Sequence, residues 1–211
     1  MGRYPLVVAL VSVLAGCQIS STPVAAPIVS PTTPHTAAAA AALQAADVPA
    51  GLQPCPSSGQ LAAYLTSLQT SNPTLAQRLS TQWQALEKAG AQDAAITLFA
   101  ADPTACSAEL AASGTVKSAA SVVIRFSDEG QADRAWEAGI LGFAPPAPGD
   151  LPPGVARGTS TGLGQSAWTY KNPPVLLACW RKAVFAALVV VTNLDDVTFK
   201  AAAAAIDARL N

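Results

Sequence analysis

The chain has 211 residues, is 51% hydrophobic and only 12% charged, and carries a formal net charge of -1, against ~25% charged residues in ordinary globular proteins. With no basic patch and no arginine-rich helix, nucleic acid is excluded as a partner, because phosphate binding needs a concentrated cationic footprint. From Gly51 onward the chain is long enough for one well-buried core and too short for two comfortable domains.

The first segment reads MGRYPLVVALVSVLAGCQIS. One basic residue, Arg3, precedes an apolar run from Leu6 to Ala15 that is broken only by Ser12. That run is about half of the ~20 residues a helix needs to cross a bilayer. A charged start, a short apolar stretch and small residues are the pattern of a secretory signal. The run ends in Leu14-Ala15-Gly16-Cys17, which resembles the lipobox of bacterial lipoproteins. The resemblance implies a signal peptide over 1–16, a diacylglycerol thioether on Cys17, and cleavage that makes Cys17 the new N-terminus. It also implies a protein outside the cytoplasm, held to the cell membrane or outer membrane by lipid. Gln18 is not the aspartate that, in many relatives of that class, retains the protein at the inner membrane. Two or more acyl chains hold stably where one holds only reversibly. The resemblance covers about 17 residues and says nothing of the mature domain, for which no family is recognised.

Residues 17–50 carry prolines at 23, 27, 31 and 34, many alanines and threonines, and almost no charge. This composition reads as the lipidated cysteine followed by a spacer, with Ala37 to Ala46 at most a loose short helix. His35, the one histidine, falls in this spacer and reads as solvated.

Four cysteines stand at 17, 55, 106 and 179. With Cys17 lipidated, three remain, in a compartment that permits disulfides. Cys55 with Cys106 is favoured because the pair brackets a helical segment; Cys106 with Cys179 is the rival. Three scattered thiols without a usable histidine do not match a structural zinc site, and no metal or cofactor is expected.

Residues 51–211 form the single folded domain. Leu61, Tyr64, Leu65 and Leu68 recur at helical spacing. Asn72-Pro73 then opens a second helix, with Leu75, Leu79, Trp83 and Leu86 in one stripe and Gly90 at its end. A third short helix is expected around Ile96 and Phe99. SAASVVIRF reads as a strand. The next segment is helical, with Asp128 and Gln131 as a capping box and Ala132, Trp136 and Ile140 inward. A proline-rich loop follows, then a strand near Gln165 to Tyr170. VLLACW and AVFAALVVV read as a hairpin with Arg181-Lys182 near its turn, and the second strand is apolar enough to be covered on both faces. A last helix buries Phe199, Ala203, Ile206 and Leu210 behind a cap at Asn193 or Asp195. These periods describe an α+β fold: an N-terminal helical layer, then a small, mainly antiparallel sheet with helices on one face.

The glycines at 158, 162 and 164 follow a proline-rich loop and precede a strand, the wrong context for a phosphate loop. Gly164-Gln165-Ser166-Ala167-Trp168 lacks the second glycine of a nucleophile elbow, and the lone histidine is in the spacer. A serine-dependent hydrolase using Ser166, with Lys171 as base, is the enzyme alternative; a purely structural envelope protein is the third. Asp128-Glu129 and Asp195-Asp196 precede helices, where the dipole explains them. The remaining expectation is binding. Trp168 and Tyr170 share a strand face, and Trp180 on a neighbouring strand is expected to join them under the 144–157 loop. Arg157 and Arg181 would orient a polar end. The occupant would be a small apolar ligand or an envelope protein.

Overall fold

A run of antiparallel pairings organises the domain. The computed structural model describes residues 36–102, 106, 116–149 and 151–211. The signal segment, Cys17 and His35 lie outside these. The strands are β1 (Gln53–Pro54), β2 (Gly59–Gln60), β3 (Ala91–Ala100), β4 (Ser118–Phe126), β5 (Val155–Arg157), β6 (Ala167–Asn172), β7 (Val175–Lys182) and β8 (Phe185–Thr192). They form one sheet in the order β1-β3-β4-β8-β7-β6-β5, with β2 also on β3. Every pairing is antiparallel. The helices are α1 (Ala38–Ala41), α2 (Leu61–Ser71), α3 (Pro73–Lys88), α4 (Glu129–Ala138) and α5 (Asp196–Arg209).

The α+β class holds, but helices cover both faces of the sheet rather than one. Alternate residues of a strand point to opposite sides. Val122, Ile124, Leu188 and Val190 therefore meet α2, α3 and α4 in one apolar cluster. Val123, Val189 and Val191 meet α1 and α5 in a second. With both faces dry, β8 is buried along its whole length.

The caps follow local chemistry. Asn72 accepts from the Leu75 N–H at 3.1 Å, with Pro73 at the first helical position. Asp128 accepts from the Gln131 N–H at 2.8 Å. The Gln131 amide bonds the Ser127 hydroxyl, so the capping box is half formed. Asp195, not Asn193, caps α5 through the Thr198 N–H at 2.7 Å.

Two further expectations differ from the structure. The third helix is the strand β3: Ala94, Ile96 and Leu98 face the first cluster, while Ala95 and Phe99 face the second. Its alanines favour helix locally, and tertiary pairing with β4 overrides them. The second difference is 36–50, which reads as spacer by composition but is packed. Ala38, Ala41, Ala42 and Leu43 are buried. The Leu43 N–H donates to Ser121 Oγ at 3.1 Å and the Ala38 N–H to Asp93 Oδ2 at 2.9 Å. Small side chains let this backbone lie close against the sheet.

Candidate functional site

The disulfide joins Cys55 to Cys106 across 51 positions, and Cys179 is a buried free thiol. Burial pushes that thiol up to about 12, so it stays protonated and inert.

The residues expected to form a binding cluster separate. Trp168 lies in the first apolar cluster, with Tyr170 half-buried against it. Trp180 pairs with Ala167, not Trp168, so it points to the opposite side of the sheet. There it is fully buried and donates to Asp207 Oδ1 of α5 at 3.1 Å. Trp180 is a core anchor and does not face a ligand beside Trp168.

The two arginines have internal partners. Arg157 is opposite Trp168 on the edge strand. Its Cζ lies 5.5 Å from the centre of the Trp136 ring, its Nη1 donates to the Pro146 carbonyl, and its Nη2 is 3.7 Å from Glu137. Arg181 Nε is 3.1 Å from Asp133 Oδ1. Glu137 and Asp133 are one turn apart on α4, so both arginines fasten that helix to the sheet.

Ser166 precedes β6 and Lys171 lies near its far end, roughly 16 Å along an extended strand at ~3.3 Å per residue. Lys171 is ion-paired with Asp196, so the serine–lysine pair does not form. Among the described residues no group of three His, Cys, Asp or Glu could hold a metal. No described helix is long and apolar enough to cross a membrane.

An apolar concavity lies between α3 and α4. These helices run side by side in opposite directions: Ser127, at the start of α4, donates its N–H to the Gly90 carbonyl at 3.1 Å, and the turn after α4 returns to the middle of α3. One half of the groove, about 470 Å³, is walled by Ala85, Leu86, Ala89, Ala135 and Ala138, with Arg134 at its rim. The other half, about 270 Å³, is walled by Leu75, Leu79, Leu141 and Phe143, with Arg78 at its rim. Gln82 and Gly142 line both halves. A Cβ on Gly142 (φ +89°) would fall 2.7 Å from Gln82 Nε2; only glycine lets the amide lie there.

The chain matches no protein-family model, no curated protein and no solved structure. The groove was missed because the sequence reading stopped at the buried stripe of α3. A signal was present beside it: Arg78, Gln82, Ala85 and Ala89 recur at i, i+4, i+7 and i+11, a second stripe of short or polar residues on one helix face.

Proposed function

We propose that this chain is a membrane-anchored extracytoplasmic lipoprotein whose α+β domain binds a ligand or an envelope partner without catalysing a reaction. The observation that carries the binding role is the α3–α4 groove, apolar in its walls and with few polar groups, as ligand sites commonly are. Its larger half, about 470 Å³, falls in the ~300–1,000 Å³ class of small-molecule sites.

Cysteine accounting supports the anchor. Cys55 and Cys106 are consumed by the disulfide and Cys179 is sealed in the core, which leaves Cys17 of LAGC for lipid. A disulfide also suits an oxidising compartment. The mechanism is display: acyl chains, each buried methylene contributing about 0.8 kcal/mol, hold Cys17 at the leaflet, and the domain presents its groove.

The test is metabolic palmitate labelling with envelope fractionation. The native chain takes up label and fractionates with membranes; Cys17→Ser takes up none and is released or mislocalised. Normal labelling of Cys17→Ser overturns the anchor. The binding role is tested by native mass spectrometry of the chain extracted from its own membranes. Bound mass is expected on the native protein and not on Ala138→Trp, whose indole fills the groove; the same bound mass on both overturns the groove as the site.

A further inference from the structure

Residues 139–154 join α4 to β5 with no helix or strand of their own beyond the single bridge Ile140–Phe143. Connections longer than ~12–15 residues are uncommon in compact domains and are usually either functional or disordered. This one is fixed at both ends. At its start the Phe143 N–H donates to the Ile140 carbonyl at 2.8 Å, and Arg157 Nη1 donates to the Pro146 carbonyl. At its end the Val155 N–H donates to the Pro152 carbonyl at 3.0 Å and the Lys171 N–H to the Gly154 carbonyl at 2.8 Å. A Cβ on Gly154 (φ +80°) would collide with the Lys171 carbonyl oxygen, so only glycine lets the loop close against β6 there.

Between those ends the chain is stiff and faces outward. Five of residues 144–154 are proline, at 145, 146, 148, 152 and 153. Each proline fixes its own φ and pushes the residue before it toward extended backbone, so Ala144, Ala147 and Leu151 are restricted as well. Pro148, Leu151, Pro152 and Pro153 are exposed, and Leu151 is one of two large hydrophobics that are so among the described residues. None of these four lines the α3–α4 groove. A proline has no N–H to give, and the carbonyls of Pro145, Ala147, Pro148, Leu151 and Pro153 accept no hydrogen bond from any described residue. The loop therefore presents proline rings together with a surplus of acceptors.

We propose that the 144–154 loop is a docking segment for a protein domain whose groove is lined by tryptophan and tyrosine, the kind of groove that takes polyproline II ligands. It is a second contact, beyond the α3–α4 groove and independent of it. Pro145-Pro146-Ala147-Pro148 has the PxxP spacing of such ligands, whose rings seat between aromatic side chains. Indole N–H and phenol O–H groups supply the donors that the loop carbonyls lack. The restricted backbone leaves little conformational freedom to lose on docking. Asp150 is the one charged residue in 144–154, with no lysine or arginine beside it in that segment, which disfavours a phosphate-bearing partner or an anionic lipid surface.

The experiment places a benzophenone amino acid at position 147 of the full chain in its own cells, with the exposed position 204 on α5 as the control. After irradiation the products are identified by mass spectrometry. A polypeptide is expected at 147 and not at 204, its cross-linked peptide carrying tryptophan or tyrosine. The yield is expected to fall roughly tenfold in Pro148→Ala/Pro153→Ala, because each proline lost returns chain freedom that docking must remove and takes away a ring contact. Both prolines are exposed and neither carbonyl is bonded to a described residue, so the fold survives the change, which circular dichroism confirms. No polypeptide at 147, a lipid adduct there, or equal capture at 147 and 204 overturns the proposal. A contact peptide without aromatic residues, or a yield unchanged by the two substitutions, overturns it as well.

Discussion

The guanidinium of Arg157 lies over the indole of Trp136, 5.5 Å from the ring centre, and the same side chain reaches Glu137 and the carbonyl of Pro146. One residue on the edge strand thus holds the last turn of α4 and the start of the proline-rich loop. Arg157→Ala should cost about 1–2 kcal/mol, the scale of a partly desolvated cation–π contact. Limited proteolysis should then cut within 144–154 before any other described segment. Unchanged urea stability and an unchanged cleavage pattern would show that the loop is held by something else.

Trp168 is 8% exposed, whereas Trp83 is only partly buried against the same cluster. Removing a buried indole leaves a cavity as well as losing transfer free energy, so Trp168→Ala should destabilise by about 3–5 kcal/mol. Trp83→Ala should lose on the order of 1–2 kcal/mol, the transfer contribution of a half-buried side chain. Chemical denaturation of the two variants checks the order; equal losses would contradict the burial.

Reduction of Cys55–Cys106 frees a loop of 51 positions. Chain-entropy arithmetic for that length gives about 4 kcal/mol. The double variant Cys55→Ser/Cys106→Ser should therefore unfold at lower denaturant than the oxidised protein by that order, and added reductant should not shift it further. In the folded state the buried thiol of Cys179 should resist alkylation until the chain is unfolded.

Burial raises the Asp47 carboxyl, but the Arg209 side-chain hydrogen bond, the Gln44 backbone N–H and the Arg209 charge together hold it below the usual carboxylate range. A depressed folded-state value means that its stabilising contribution is present above the unfolded value, ~3.9. That contribution is lost as pH falls through the folded one. Asp195 and Asp196 are lowered as well, Asp195 mainly by the Thr198 backbone N–H and Asp196 mainly by Lys171. Stability should thus decline below about pH 4. Asp47→Asn should be less stable at neutral pH with a shallower acid limb. Parallel melting-temperature profiles for the two proteins would refute this.

Helices α2, α3, α4 and α5 were legible because each carries both a spaced apolar stripe and a capping or breaking residue, as Asn72-Pro73 does for α3. Strand β3 was not. It is buried on both faces, so no polar alternation marks it, and its alanines imitate a helix. The segment 36–50 was misread for a related reason: composition reports how much a segment can bury, and alanine buries little, yet close backbone packing against Ser121 and Asp93 needs no large side chain. The Trp168–Tyr170 face was readable from strand parity. The placement of Trp180 was not, because register between strands decides it. The groove required the distance between α3 and α4, which no local pattern contains.

Arg209, in the last turn of α5, donates to the carbonyls of Ala41 and Ala42 and pairs with Asp47 at 2.6 Å, while the Thr36 N–H meets the Asn211 carbonyl at 3.4 Å. The two ends of the folded unit are therefore neighbours. A pull arriving through the leading segment is taken first by the Thr36–Asn211 and Ala38–Asp93 bonds and then by this arginine, at the seam with the final helix. A reporter fused after Asn211 would emerge beside the point where the leading segment joins the fold.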